Sequence, residues 1–209
     1  MKTAALSLPL VLALVVGCGD ASPKVDSAAT GSTEPSWQRV MEQDLTPAQH
    51  DQLQRAVVAQ QEMAHTMMGE LKSELEGGSP AGAVVVCRDL APMIADHVST
   101  EHGLIIGRTS HRLRNPGNTA PEWVSVVVDE GFEMQATFEG PKGELGVTLP
   151  IRMAAQCLAC HGPAESLSDE ITLALTKSYP EDQATGFAEG DLRGWFWIEV
   201  PAQAGTSDS

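Results

Sequence analysis

Residues 157–161 read Cys-Leu-Ala-Cys-His. No other stretch constrains the chain as much, because C-x-x-C-H is the attachment signature of a c-type haem. Two thiols at this spacing add to the haem vinyl groups as thioethers, and the adjacent imidazole then reaches the iron. Cys157 and Cys160 are therefore the expected anchors of one covalent haem c, and His161 its proximal metal ligand. Three other readings compete. Half of a zinc site wants a second ligand pair at matched spacing, and no second C-x-x-C is present. A thioredoxin-like redox pair opens a helix inside a βαβ unit, which the flanking residues do not resemble. A local disulfide is the third.

The N-terminus bears on the compartment. Met1-Lys2 is a short positive region, and Leu6 to Val16 is an apolar run too short to span a bilayer comfortably. The run ends Val15-Val16-Gly17-Cys18, which resembles the lipobox of bacterial lipoproteins. In that family cleavage falls before the cysteine, which then carries the lipid. An ordinary secretory signal is the alternative, and both readings export the chain. Gly19 rather than aspartate follows Cys18, so an outer-membrane anchor facing the periplasm is favoured over an inner-membrane one. No second segment is long and apolar enough to span, so the expected protein is anchored, not integral.

Counting cysteines then becomes informative. Of the four, Cys18 goes to lipid and Cys157 and Cys160 go to haem, leaving Cys87 alone in an oxidising compartment. Two readings of Cys87 stand. Val84-Val85-Val86 before it fits a buried inert thiol. The sharper reading makes Cys87 the second axial ligand, where metal shields the thiolate and uses its charge.

The net charge is −15, and loss of Lys2 with the leader makes the mature chain one unit more negative. No basic patch is present, so nucleic acid is excluded as a partner. Asp20 to Ser36 is rich in small and polar residues without apolar period and reads as a tether. The expected organisation is a signal peptide at 1–17, a flexible tether at 18–40, a folded domain at 41–202 and a polar tail at 203–209.

Within the domain, Thr46-Pro47-Ala48-Gln49 is a capping box that opens a helix running to about Glu76 and stopping at Gly77-Gly78. Leu53, Val57, Ala64, Met67, Leu71 and Leu75 fall near one stripe of it. Its Met63, Met67 and Met68 are weaker candidates for iron ligation than for core packing. Ser79-Pro80 starts a second helix through Cys87. Pro92 starts or kinks a third, ending near Gly103. Leu104-Ile105-Ile106 reads as a buried strand, and Thr119-Ala120-Pro121-Glu122 as a second capping box opening a helix to about Asp129. Glu133–Glu139 and Glu144–Arg152 flank the turn Gly140-Pro141-Lys142-Gly143 as an antiparallel hairpin. Trp195 to Val200 is a final strand with an aromatic face. Helices followed by antiparallel strands make an α+β pattern.

Several blocks now line up with a known family. They are Cys87 with Ala91-Pro92-x-Ile94-Ala95; Gly103 through Arg108 to Arg114-Asn115-Pro116-x-Asn118; Pro121-Glu122-Trp123; Cys157 to Gly162; Tyr179-Pro180-x-Asp182-x-Ala184-x-Gly186-Phe187; and Gly190-Asp191-x-Arg193-Gly194. Over roughly residues 45–200 the chain resembles a bacterial haem c family with a PAS-like fold, long catalogued as a domain of unknown function. The resemblance implies a PAS-like antiparallel sheet with a long N-terminal helix and flanking helices. It also implies His/Cys axial ligation, with the cysteine carried onto Cys87. It establishes no enzymatic activity.

Arg108 and Arg114 are candidates for haem contact, since a guanidinium matches a carboxylate fork; surface ion pairing is the alternative. His97, His102 and His111 are reserve ligands should Cys87 not serve. Asn115-Pro116-Gly117-Asn118 is a turn by composition. The expected role is a redox- or gas-responsive sensor or ligand-binding module, with a low-potential periplasmic electron carrier as the alternative. Either needs a redox or signalling partner protein, since the chain has no kinase or cyclase region of its own. Cys18→Ser is expected to shift the protein from the membrane to the soluble fraction and to abolish incorporation of labelled fatty acid. A variant that still sediments with membranes rejects the anchor.

Overall fold

The computed structural model describes residues 36–202. The signal peptide at 1–17, Cys18, most of the tether and the tail at 203–209 lie outside the described residues.

The chain enters through β1 (Gln38–Val40), which overlaps the end of the stretch assigned to the tether. The ordered sheet thus begins three residues before the boundary taken at 41. Thr46 then caps α1 (Pro47–Glu76). The Gln49 N–H donates to Thr46 Oγ1 at 3.3 Å and the Thr46 N–H donates to Gln49 Oε1 at 2.9 Å, so the expected capping box forms in both directions. Leu53, Ala56, Ala59 and Met63 bury the first half of α1.

Between Ser79 and Gly103, Pro92 marks the start of a third helix and Gly103 its end, as expected, but the second helix runs into the third without a break. α2 (Pro80–Val85) passes through a π-helical turn at Val86–Leu90 into α3 (Ala91–His102). Proline is tolerated because it falls in the first turn of α3. Cys87 therefore sits on the wide turn and not at a helix end. Gly103 ends α3 at φ 60°, and the Leu104 N–H returns to Ser99 O at 3.0 Å.

β2 (Ile105–Thr109) is an edge strand, so Ile105 is exposed while Ile106 is buried. The second capping box does not form: α4 (Glu122–Glu130) starts after Pro121, and the Thr119 hydroxyl donates instead to Pro116 O at 2.8 Å. Proline disfavours helical backbone at the residue before it, which moves the start past Pro121. β3 (Ala136–Glu139) and β4 (Leu145–Arg152) form the expected hairpin, with β3 three residues shorter at its start than the alternation indicated. A 3-10 turn at Ala155–Cys157 leads into the single turn α5 (Leu158–His161). Ser168 then caps α6 (Asp169–Ser178), a helix not among the elements expected of the sequence. β5 (Leu192–Val200) closes the fold.

All strand pairs are antiparallel, in the order β1-β3-β4-β5-β2. The α+β class and the long N-terminal helix are as expected. Alternation along the strands divides the core. Ile106, Leu145, Val147, Phe196, Ile198 and Val200 face α1 and α3. Ala136, Phe138, Trp195 and Trp197 face α4 through Trp123, Val124 and Val127. The aromatic strand face is thus core: Trp195 is fully buried and its Nε1–H donates to Phe132 O at 2.7 Å.

Gly194, at φ 156°, is the third residue of β5 and lies beside the C-terminal end of β2. A Cβ there would run into the Thr109 carbonyl and the Ser110 backbone. Gly194→Ala is expected to lower the unfolding free energy by roughly 1–3 kcal/mol. An unchanged urea midpoint would mean that the β2–β5 edge yields without cost.

Candidate functional site

α1 outruns the sheet. Its second half carries Met67, Met68 and Leu71 past the strand ends, over a cavity of 820 Å³. The ends of β2, β4 and β5, α2 with its π turn, and residues of the segment 156–161 all contribute to its lining. The motif residues Cys157, Cys160 and His161 line this cavity, and so does Cys87. Two cysteine sites 70 residues apart in the chain are therefore brought to one space. All three described cysteines are free thiols, so the disulfide reading finds no support here. Among the described residues no three His, Cys, Asp or Glu side chains cluster as a zinc site requires.

His161 is held in one chemical form. Its Nδ1 lies 2.7 Å from Ala184 O, a pure acceptor, so Nδ1 carries the proton and Nε2 keeps its lone pair. Burial pushes its pKa down to about 3, and the charges of Arg114 and Arg193 push the same way. The imidazole is thus neutral and ready to ligate. Phe187 meets its ring edge-on at 6.3 Å.

The scaffold beneath it is Arg114, which is 7% exposed. Its Nε donates to Asp182 Oδ2 at 3.0 Å, and its Nη2 donates to Cys160 O at 2.6 Å and Ala184 O at 3.1 Å. Asp182 Oδ1 accepts the Ala184 N–H at 2.7 Å. Arg114 borders the cavity, and these donors brace the motif segment.

Arg108 does face the cavity, with Nη1 2.8 Å from Met67 Sδ. Arg193, which sequence reasoning did not select, lines it from the start of β5. The only available signal was its place in the Gly-Asp-x-Arg-Gly block. Burial raises the pKa of the Cys87 thiol, while Arg108, Arg114 and Arg193 act to lower it.

The reserve ligands do not converge. His97, His102 and His111 do not line the cavity. His102 Nε2 lies 2.8 Å from Glu62 Oε2, and His111 packs edge-on against Phe187 and Trp195. Met63 is buried in the core under α1, leaving Met67 and Met68 beside the cavity. Asn115 caps its own turn, accepting from the Gly117 N–H at 2.9 Å.

A family model described as Tll0287-like matches residues 38–201. The crystal structure of the cyanobacterial heme-protein Tll0287 is 26% identical. The match covers 78% of this chain and 100% of that one, with a TM-score of 0.57. No curated protein matches.

Replacing Arg114 with methionine leaves the largely buried Asp182 carboxylate without a counter-charge. Arg114→Met is expected to cost roughly 3–5 kcal/mol of stability, and Arg114→Met with Asp182→Leu to recover much of it. Equal losses in urea unfolding of the single and double variants would mean that the pairing is not the source.

Proposed function

Because the chain belongs to the Tll0287-like family, we propose that it holds one haem c, covalently at Cys157 and Cys160, with His161 and Cys87 as axial ligands. The observation that carries this reading is the convergence of all four side chains on one cavity. The donor set fits the group. The two thiols stand at attachment spacing, the neutral imidazole keeps Nε2 free, and Cys87, from a different segment of the chain, lines the same cavity. The cavity is of a size for a cofactor, and its apolar side is supplied by Met67, Met68 and Leu71.

When bound, haem c supplies one-electron chemistry at its iron and, where an axial position opens, a site for a diatomic gas. The residues have separable tasks. Arg114 and Ala184 fix the orientation and tautomer of His161. Cys87 rests on a π turn, a register with one residue more per turn than the α-helices flanking it. π turns within helices are frequent at functional sites, and we take the place of Cys87 on one as support for a redox- or gas-responsive ligand-binding module over a carrier that keeps both ligands fixed. We read the fold as PAS-like, and the protein as exported, lipidated at Cys18 and facing the periplasm, with a partner protein receiving the signal or the electron. No membrane-spanning helix is found among the described residues.

Cys157→Ala/Cys160→Ala is expected to lose haem to acid–acetone, whereas wild type retains it. Cys87→Ala is expected to change the ferric absorption and EPR spectra, and an unchanged spectrum rejects the axial assignment. Reduced wild-type protein is expected to bind CO. A ferrous form that ignores CO turns the reading to a low-potential electron carrier.

A further inference from the structure

The walls of the cavity carry more positive than negative charge. Arg108, Arg114 and Arg193 all line it. Arg114 is neutralised by Asp182 at 3.0 Å. Lys72 and Arg152, near the same cavity, pair with Glu76 and Glu133. Arg108 and Arg193 are different: among the described residues neither has a carboxylate within 4.0 Å. The Met67 sulfur accepts from Arg108, and Arg193 Nη1 donates to Arg112 O at 3.1 Å. Protein crowds both guanidiniums. Burial, then the neighbouring arginines, pushes the Arg193 pKa down to about 10, and burial lowers that of Arg108. Charged groups in such surroundings are costly unless an anion joins them. The Met67 thioether is a weak acceptor and does not supply one.

We propose that Arg108 and Arg193 are the counter-charges of the group that occupies the cavity, which together with its thiolate ligand carries two net negative charges in the oxidised state. The proposal rests on the haem reading above. Three positive charges on ferric iron stand against two on the macrocycle nitrogens, two on the carboxylate side chains and one on a thiolate ligand. The remainder is two negative charges, matching the two unpaired guanidiniums. The planar fork of arginine suits the carboxylates in particular. Reduction adds one more negative charge, so the same two arginines favour the reduced form and set how readily the site accepts an electron. They are positioning residues acting by charge.

The test is the midpoint potential of the haem-loaded, full-length protein, followed spectroscopically. Arg108→Gln and Arg193→Gln are each expected to keep covalent haem and to shift the midpoint to more negative values, the double variant further. Arg108→Lys and Arg193→Lys are expected to stay near wild type. Arg88→Gln, which removes a surface charge paired with Asp89, is expected to change nothing. Wild-type potentials in both haem-loaded glutamine variants overturn the proposal, as does an equal shift in Arg88→Gln. Should a glutamine variant fail to load haem, its lysine counterpart decides. Loading with a near-native potential supports the charge role, and failure of both overturns it. Wild-type protein without covalent haem sinks the preceding reading instead, and is told apart by haem staining before any titration.

Discussion

The buried ion pair of Arg114 and Asp182 is the joint on which the site depends. Removing two charges from water is expensive, and the cost is offset only when every donor and acceptor is satisfied. Here the satisfaction is dense. The guanidinium reaches Asp182, Cys160 O and Ala184 O, and Asp182 also accepts the Ala184 N–H. Ala184 O is shared between Arg114 and His161 Nδ1. The same cluster therefore fixes the Cys-x-x-Cys-His turn, the loop at 182–187 and the tautomer of the histidine. Backbone bonds from Phe187 N to His161 O and from Gly186 N to Gly162 O lock the two segments together.

The cavity follows from a mismatch of lengths. α1 has 30 residues, roughly 45 Å at the usual helical rise, and the strands beneath it are shorter. Its first half buries Leu53, Ala56, Ala59 and Met63 on the sheet, and its second half overhangs. Apolar residues on an overhang need cover, and α2, the π turn and the motif segment provide walls without filling the space. The same overhang puts Met67 against Arg108. Packing on the far side of the sheet is separate: Trp123, Phe138 and Trp195 form their own cluster with α4 and take no part in the cavity.

Local signals were legible wherever the chemistry was local. The Thr46 box formed because nothing nearby competed for its hydroxyl. The matching pattern at Thr119 failed because Pro116 offered a carbonyl and Pro121 forbade an early helix start. Pro92 signalled the start of a third helix and falls in the first turn of α3. The extra residue of the π turn has no compositional mark, so the position of Cys87 on it could not be read in advance. α6 begins with Ser168-Asp169-Glu170, an ordinary cap and acidic first turn that is visible in retrospect.

Covalent chemistry lies within the sequence itself. Five consecutive residues carry both thiols and the imidazole at the spacing that attachment needs, and counting cysteines singled out Cys87. The α+β class and the long helix also followed from periodicity and capping, which are short-range. What tertiary structure decided was every relation across the chain. It brought Cys87 to the same cavity as the motif, gave Arg114 to Asp182 and so to bracing, and left Arg108 and Arg193 facing the cavity without carboxylates. Whether a guanidinium is neutralised depends on which carboxylate lies within about 4 Å, and only the folded chain sets that distance.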